Sequence, residues 1–381
     1  MAEHVDPALL AGGDNTALEH FYAELHAEHL EALWRINARI MPFEPRPRPK
    51  AWLWRFDNLA RLAEQAGKLV PIDRGGDRRV LGCMNPGLPG VYGATATLWA
   101  AVQYLGPRES APGHRHSPSA LRFVVEGTGA WTTVDGDRCN MAAGDLVLTP
   151  SYTWHDHQNE SDQPMMWFDG LDLPLVGYLD AVFFEFYPVG ELQPVLDRHG
   201  SARAFGSPGL LPASAAVPPV VAGEGAAEPP AGARPAPRSP LLHYPWAATA
   251  AALDARRDDA GDPFDDVLLR FTNPRTGGPV LPTVAATVQL LRAGTRTRTH
   301  RHVHSTVYQV FRGEGETVVD GVRFSWRRGD ILALPPWTVH EHHAPGGDAI
   351  LFAITDEPVL EALGLERVLP VDGPQAVTGD F

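Results

Sequence analysis

The first part of the chain carries apolar residues at helical spacing. From Asn15 to Ile40, apolar side chains return every three to five residues with acidic residues between them, which predicts one amphipathic helix. A second, shorter helix is predicted from Asp57, as its N-cap, to Gly67. The proline-rich segment Pro42 to Pro49 separates the two. The chain is therefore expected to begin with helices.

From about Val70 the pattern changes to short apolar runs interrupted by glycine and proline, which is typical of β-strands. These runs predict an antiparallel β-barrel or jelly roll. A second barrel is predicted from about Val267 to Thr355, between a short helix before it and a last helix after it that Asp356 would cap. The strand-like runs of the first barrel are 98–104, 121–125, 131–134, 146–148, 165–168 and 181–186, and the two helices are 247–256 and 358–363.

Two histidine sets show that the two barrels arose by internal duplication. His114 and His116 precede His155 by 41 and 39 positions, and a second set repeats this arrangement: His300, His302 and His340. Glycine, asparagine and glutamine anchors recur with an offset of about 186, among them Gln103 with Gln289. The predicted fold class is therefore mainly β, with two barrels and N-terminal helices.

Residues 211–240 consist mostly of alanine, proline and glycine, and they hold too few large apolar residues to form a core. We predict a flexible linker there. The predicted division is an N-terminal helical region with lead-in strands (1–85), a first barrel (86–190), a linker region (191–262), a second barrel (263–370) and a tail (371–381).

Charge and composition exclude several classes of partner. The net charge of −14 argues against binding to nucleic acid or to an anionic membrane. Two cysteines, Cys83 and Cys139, cannot form a disulfide framework. The first residues lack the basic and apolar regions of a signal peptide, and no apolar run is long enough to span a bilayer. We therefore expect a cytoplasmic protein.

The first histidine set has the composition of a metal site. Residues i and i+2 of a strand point to the same side, so His114 and His116 face the same space, and His155 can return on the neighbouring strand. Three neutral imidazoles suit Fe, Zn, Cu, Ni or Mn and leave coordination positions free. A lone His-x-His pair is more often just polar strand residues, but the third histidine and the duplication favour a metal.

Both sets resemble the two motifs of the cupin superfamily. The segment from Gly144 through Pro150 to His155 follows the second motif, with Tyr152 where glycine is usual. The first motif lacks its common glutamate, since Ala120 and Leu121 occupy that region. Without a carboxylate ligand the charge of the metal is uncompensated, and such a site should favour an anionic, chelating substrate.

The chain further resembles the gentisate 1,2-dioxygenase family, whose relatives act on salicylate and 1-hydroxy-2-naphthoate. The segments that carry the resemblance are 74–79, 85–88, 99–109, 114–117, 121–127 and 169–172. It implies an Fe(II) ion on the three histidines and O2-dependent cleavage of the gentisate ring to maleylpyruvate. It also implies an aromatic hydroxy acid and O2 as partners, and a homo-oligomer, most simply a tetramer.

Five further residues are candidates for substrate contact or catalysis. Arg122 follows His116 by six positions and shares its inward parity, so it could hold the substrate carboxylate. His157 lies two positions beyond His155 and could accept the phenol proton. The resemblance adds Arg78, Trp99 and Gln103 as pocket residues. The alternative for each is an ordinary role as a surface, wall or packing residue.

The second set leaves more readings open. His300, His302 and His340 keep the spacing for a second metal, although His304, His342 and His343 offer alternative ligands. The alignment of Tyr308 with Arg122 favours the first assignment. Because Tyr308 replaces the anion-binding arginine, we expect this barrel to bind metal without turning substrate over. Its alternative is a histidine-rich remnant of the duplication.

Three alternatives to gentisate cleavage stay open at this point. The same reaction on salicylate or 1-hydroxy-2-naphthoate depends on pocket size, which one sequence does not give. A non-catalytic bicupin would bind metal or a small acid without consuming oxygen, and would have no use for Arg122 beside three ligands. A bicupin isomerase or decarboxylase fits less well with the missing glutamate.

Overall fold

The computed structural model describes residues 15–72, 79–188, 191–206 and 238–381. Two compact units are present, Met1–Arg46 and Pro47–Phe381. Most of the predicted linker, 211–240, lies outside the described residues, as does Arg78. Among the described residues, no helix has both the length and the apolar character that a membrane crossing requires.

Over Asn15 to Ile40, where the sequence pattern predicted one helix, the described part of the first unit forms two. Helix α1 spans Asn15–Ala27 and helix α2 spans Leu33–Ile40. The chain leaves the first helix at His29, which has a left-handed backbone with φ of +57°. The Leu30 amide then donates to the Leu25 carbonyl at 2.7 Å, as at a helix C-terminus. Apolar periodicity continues across this turn, which is why the pattern alone suggested a single helix.

The helices of the second unit are short and lie between strands or at their ends. They are α3 (Phe56–Leu69), α4 (Leu173–Tyr178), α5 (Gly200–Phe205), α6 (Trp246–Asp254) and α7 (Glu357–Ala362). The prediction that Asp57 caps α3 is wrong, because the N-cap residue is Arg55 and Asp57 lies in the first turn. Asp356 does occupy the N-cap position of α7, but its side chain makes no capping hydrogen bond.

The described residues of the second unit form four six-stranded sheets, two for each barrel. The first twelve strands in chain order are β1 (Trp52–Trp54), β2 (Val80–Gly82), β3 (Trp99–Leu105), β4 (Ser110–His116), β5 (Ala120–Glu126), β6 (Thr128–Val134), β7 (Asp137–Ala142), β8 (Leu146–Thr149), β9 (His155–Asn159), β10 (Met165–Leu171), β11 (Phe184–Phe186) and β12 (Asp197–Arg198). The remaining strands are β13 (His243–Tyr244), β14 (Val267–Arg270), β15 (Ala285–Leu291), β16 (His300–His302), β17 (Thr306–Arg312), β18 (Glu314–Val319), β19 (Val322–Arg327), β20 (Ile331–Leu334), β21 (His340–His343), β22 (Ala349–Thr355), β23 (Val368–Pro370) and β24 (Gly379–Asp380).

The two barrels have the same topology and exchange edge strands. The first barrel has the sheets β13-β8-β5-β10-β3-β2 and β11-β4-β9-β6-β7-β12, and the second has β1-β20-β17-β22-β15-β14 and β23-β16-β21-β18-β19-β24. Strand β1 precedes the first barrel in sequence but pairs with β20 of the second. Strand β13 lies close before the second barrel in sequence but pairs with β8 of the first. The duplicated fold is a mainly β bicupin, as the sequence predicted.

The barrels share an aromatic core. Phe123 of β5 stacks on Phe352 of β22 with ring centroids 4.1 Å apart, and Phe168 and Phe311 pack around this pair. These side chains come from strands whose residues are buried almost throughout. Because one face of such a strand lines its own barrel and the other meets the second barrel, the sequence shows continuous apolar runs and not strict alternation.

Candidate active site and metal centres

Strand pairing brings the first histidine set together. His114 and His116 lie at the end of β4, His155 begins β9, and the backbones of His114 and His155 are register partners. The ring centroids of His114 and His155 are 4.2 Å apart, and those of His116 and His155 are 4.8 Å apart. One ligand nitrogen from each of the three lies within 4.8 Å of the others. The spacing noted in the sequence thus becomes a cluster of three imidazoles.

Backbone carbonyls orient all three rings. The Nδ1 atom of each lies near one carbonyl oxygen: Pro112 at 3.3 Å for His114, Pro118 at 2.7 Å for His116 and Thr153 at 3.0 Å for His155. A ring that donates its Nδ1 proton to a carbonyl keeps the Nε2 lone pair for a metal. One side of each ring is therefore fixed in the way that metal-binding histidines require.

His155 shows most directly that these residues fit a metal ion. The residue is fully buried, and its Nε2 atom has no hydrogen-bond partner. Burial, with the neighbouring imidazoles and Arg122, holds the pKa of His155 well below its usual value. A neutral imidazole with an orphaned, buried lone pair is costly unless a cation occupies the space beside it. The chemistry of the donor set therefore fits a divalent metal.

Tyr152, which departs from the cupin pattern, lies in the loop before His155. Its backbone has φ of +64°, a conformation that favours glycine, and its amide donates to the His116 carbonyl at 2.8 Å. Trp337 adopts φ of +60° at the equivalent position of the second barrel and donates to the His302 carbonyl in the same way. The usual glycine thus reflects a backbone requirement that both aromatic residues meet here with some strain.

A cavity of about 400 Å³ opens beside this cluster. Trp99 and Gln103 line it from β3, Arg122 from β5 and Asp169 from β10, together with His114 and His116. The remaining wall is apolar and was not predicted as site: Val80, Pro118, Ala120, Leu171, Leu173, Val182, Phe183 and Phe184. The only sequence signal for the last three residues was the apolar run 181–186.

Arg122 is held rigidly in this cavity. It is only 4% exposed, its Nη1 donates to the Thr149 hydroxyl at 2.7 Å, and its Nε lies 3.4 Å from a carboxylate oxygen of Asp169. Burial lowers the pKa of Arg122, while Asp169 opposes that shift. Burial also raises the pKa of Asp169 to about 6, against the opposing effect of Arg122. The sequence predicted this arginine from strand parity but gave no sign of its partner Asp169.

His157 is placed differently from the other candidates. It is 1% exposed and is not among the residues that line the cavity. Its Nδ1 atom lies 2.9 Å from the Thr132 hydroxyl, its Nε2 has no partner, and its ring packs against Trp167. Burial and the nearby Arg122 hold its pKa well below the usual value. The residue is therefore a neutral imidazole beside His155, with the two ring centroids 6.1 Å apart.

The second histidine set repeats the geometry of the first. The ring centroids of His300 and His340 are 4.1 Å apart, those of His302 and His340 are 4.8 Å apart, and the ligand nitrogens again lie within 4.8 Å. The Nδ1 atoms again have backbone carbonyl partners: Arg298 at 3.4 Å, His304 at 2.9 Å and Thr338 at 3.0 Å. His340 Nε2, like that of His155, is buried without a partner.

The neighbouring histidines have other roles in this barrel. His304 bonds to Glu366 at 3.0 Å and stacks on His302 with centroids 3.5 Å apart. His342 bonds to the Thr317 hydroxyl at 2.9 Å, as His157 does to Thr132 in the first barrel. Of the alternatives left open by the sequence, the set of His300, His302 and His340 is therefore the one that converges.

The second cavity differs from the first in charge. It measures about 240 Å³, and Tyr308 stands where the first cavity has Arg122. The register partner of Tyr308 on β22 is Ala353, whereas that of Arg122 is Asp169. Tyr308 and Ala353 therefore provide no counterpart of the buried Arg122–Asp169 pair. The wall instead holds Asp262, Asp265 and Glu357, with Arg270 paired to Glu357 at 2.8 Å.

Comparison with known proteins gives a consistent result. The sequence model of the cupin domain matches residues 101–171 and 287–355. A gentisate 1,2-dioxygenase from Streptomyces sp. is 44% identical over 92% of this chain and 94% of its own length. A 1-hydroxy-2-naphthoate 1,2-dioxygenase from Nocardioides sp. is 35% identical over 91% of this chain and 86% of its own. The solved structure of salicylate 1,2-dioxygenase from Pseudoaminobacter salicylatoxidans superposes with a TM-score of 0.83, at 38% identity over 95% of this chain and 96% of that one.

These relatives share both barrels with the chain, and they are named as 1,2-dioxygenases. A non-catalytic bicupin is therefore set aside. The chain belongs to the bicupin family of ring-cleaving dioxygenases that includes gentisate, salicylate and 1-hydroxy-2-naphthoate 1,2-dioxygenases.

Proposed function

We propose that this protein is a gentisate 1,2-dioxygenase that uses Fe(II) and O2 to open the ring of gentisate to maleylpyruvate. The observation that carries the proposal is the single cavity in which His114 and His116 face Arg122. The relative at 44% identity, a gentisate 1,2-dioxygenase, supports the choice of substrate. Salicylate and 1-hydroxy-2-naphthoate, the substrates named for other relatives, are the alternatives.

In this proposal His114, His116 and His155 hold the iron. Bound Fe(II) would supply open coordination positions for a chelating hydroxy acid and for O2, which brings the two reactants together. Three neutral ligands leave the positive charge of the ion uncompensated within its own coordination sphere, so an anionic substrate is favoured. The neutral state of His155, enforced by burial, keeps that ligand ready for the ion near neutral pH.

Arg122 would bind the substrate carboxylate. Its guanidinium is buried and fixed by Thr149 and Asp169, so it loses little conformational freedom when the acid binds. A charged hydrogen bond from a buried guanidinium is stronger than the same bond on the surface. Trp99 and Gln103 would form the adjoining wall, one apolar and one polar. Arg78, which lies outside the described residues, stays a predicted pocket residue.

His157 would accept the proton of the phenolic hydroxyl. The Thr132 hydroxyl donates to the Met141 sulfur at 3.1 Å, which leaves the hydroxyl oxygen to accept from His157 Nδ1. The Nε2 lone pair is then the basic position of this ring. Because the cavity wall does not include His157, the proton would have to pass from the substrate to a neighbouring group or water before reaching it.

The second histidine set would bind a metal ion without turnover. The triad and its carbonyl partners match those of the first barrel, but the arginine that would hold an anion is replaced by Tyr308. The carboxyl groups of the wall also outnumber Arg270, which already pairs with Glu357, and this balance would disfavour an anionic substrate.

We also propose that the protein is a homotetramer, as the family resemblance implies. Analytical ultracentrifugation tests this oligomeric state.

Oxygen uptake by the iron-loaded protein distinguishes the three substrates. With gentisate, salicylate and 1-hydroxy-2-naphthoate offered at equal concentration, the highest kcat/KM is expected with gentisate, together with the absorbance of a ring-opened product. No uptake with gentisate but rapid uptake with salicylate would overturn the proposed substrate. No uptake with any of the three would overturn the class of substrate.

A further inference from the structure

Carboxylates stand behind two ligands of each histidine set, one peptide group away, and those behind His116 and His302 are buried. The peptide between Pro118 and Ser119 accepts from His116 Nδ1 at 2.7 Å through its carbonyl, and its N–H donates to Asp172 at 2.8 Å. The second barrel repeats this arrangement: the peptide between His304 and Ser305 accepts from His302 at 2.9 Å and donates to Asp356 at 2.7 Å. Imidazole, peptide and carboxylate therefore form one hydrogen-bonded line in each barrel.

A second line of the same kind serves the third ligand of each set. His155 bonds to the Thr153 carbonyl, and the N–H of the same peptide donates to Asp135 at 2.8 Å. In the second barrel, His340 bonds to the Thr338 carbonyl, and the Val339 N–H donates to Asp320 at 2.9 Å. These two carboxylates lie in turns of their own barrel. Asp135 and Asp320 therefore serve as controls for Asp172 and Asp356, because they bond to the same kind of peptide.

Asp172 and Asp356 differ from these controls because the opposite barrel holds them. The second oxygen of Asp172 accepts a hydrogen bond from the hydroxyl of Thr283, just before β15 of the second barrel. The second oxygen of Asp356 accepts one from Thr97, just before β3 of the first barrel. Both carboxylates are buried, at 2% and 4% exposure, so each depends on its few donors. The duplication has thus produced two reciprocal contacts.

We propose that Thr283, acting through Asp172, is a positioning residue for the metal ligand His116, and that Thr97, acting through Asp356, has the same role for His302. A carboxylate that accepts from a peptide N–H polarises that peptide and strengthens the bond from the imidazole to its carbonyl. The imidazole becomes a stronger, better-oriented ligand. The carboxylate also supplies negative charge near the ion. The first motif lacks the glutamate that would otherwise supply it. Each barrel therefore tunes the metal affinity of the other.

This inference rests on the proposed metal centres and is tested with Co(II), whose visible absorption reports histidine coordination. A His340→Ala background isolates the first centre, and a His155→Ala background isolates the second. In the first background, Thr283→Val should weaken Co(II) binding about three- to tenfold and Asp172→Asn about 10- to 100-fold. Thr283→Ser should restore the affinity, and Thr97→Val and Asp320→Asn should leave it unchanged. In the second background the Thr97 and Thr283 results should be exchanged.

A readout without metal accompanies the titration. The Ser119 amide should exchange with solvent faster in Thr283→Val than in the unmodified chain, while the Trp154 amide keeps its rate. Unchanged Co(II) affinity in Thr283→Val, or equal losses at both centres with a lowered Tm, would overturn the positioning role. If the unmodified first centre bound no Co(II), the proposed metal centre itself would be overturned, and the inference with it.

Discussion

At the residue scale, the first cavity depends on a buried arginine that two neighbouring side chains hold in place. Arg122 is buried between Thr149 and Asp169, and its planar group can offer two parallel hydrogen bonds to a carboxylate. The equivalent residue of the second barrel, Tyr308, offers none of this charge. This one difference between the duplicated cavities explains why we assign turnover to the first barrel alone.

Replacing Arg122 with lysine should therefore raise KM more than it lowers kcat. A lysine keeps the charge but loses the paired hydrogen bonds and the contact with Thr149, and we expect kcat/KM to fall about 10- to 100-fold. Steady-state oxygen uptake measures both constants. Tyr308→Phe is the matched control and should leave both near their original values. Equal kinetics for Arg122→Lys and the unmodified protein would show that the carboxylate binds elsewhere.

The histidine ligands could be predicted from sequence because two strand rules suffice, parity within β4 and return of the chain on β9. Their supporting carboxylates could not. Ser119 and Asp172 are 53 residues apart, and nothing in the spacing of the chain indicates that one accepts the amide proton of the other. The pairing of Asp169 with Arg122 could not be predicted either, because it depends on the register of β5 and β10.

At the element scale, helix α3 begins where a residue from the second barrel caps it. The Phe56 amide donates to Asp330 at 2.8 Å, and the Arg55 guanidinium lies 3.0 Å from the same carboxylate. In the sequence, Asp57 stands at the start of the apolar pattern of this helix, which is why it was predicted as the N-cap. The N-cap residue is Arg55, and the carboxylate that accepts the first helical amide lies 274 positions away, which local pattern rules do not reach.

Replacing Asp330 with alanine should destabilise the protein by about 1–3 kcal/mol, because a buried amide would lose its acceptor. Asp57→Ala removes only an exposed contact with Arg327 and should change the free energy of unfolding by less than about 0.5 kcal/mol. Chemical denaturation followed by circular dichroism measures both values. A larger loss in Asp57→Ala than in Asp330→Ala would restore Asp57 as the cap.

At the scale of the whole molecule, the barrels are joined by Phe123 and Phe352, by exchanged edge strands and by the reciprocal threonine contacts. The duplication was evident from the sequence because its anchors recur at a fixed offset. The exchange of β1 and β13 was not, because short edge strands carry almost no pattern of their own. The family relationship rests on both barrels together, since relatives match over nearly the whole chain.

Buried neutral histidines should make the metal-free protein sensitive to acid. Burial lowers the pKa of six of them, to about 4 for His300, to about 3 for His342 and well below the usual value for the others: His155, His157, His302 and His340. An unfolded chain would protonate these groups below about pH 6.5, and the folded chain would not, so they destabilise the fold as the pH falls.

Carboxyl groups act in the opposite direction. Burial raises the pKa values of Asp169, Asp172 and Asp265 to about 6 and also raises those of Asp135, Asp156 and Asp356. Between about pH 6 and 4 the folded chain therefore binds protons that the unfolded chain releases. The six imidazoles outnumber the three carboxyls whose pKa is raised to about 6, so near pH 5 the unfolded state should still bind more protons than the folded state. Denaturation midpoints of the metal-free protein should therefore fall steadily from pH 7 to pH 5. A constant or rising midpoint would contradict this balance.

The most direct measurement compares His155→Ala with His340→Ala in iron content and in oxygen uptake with gentisate. These residues hold equivalent positions in the two sets, so any general effect of losing a buried histidine is matched. We predict that His155→Ala loses the iron of the first barrel and all ring cleavage, whereas His340→Ala loses iron but keeps substantial turnover. Persistent ring cleavage in His155→Ala would contradict the claim that the three histidines of the first barrel hold the catalytic metal.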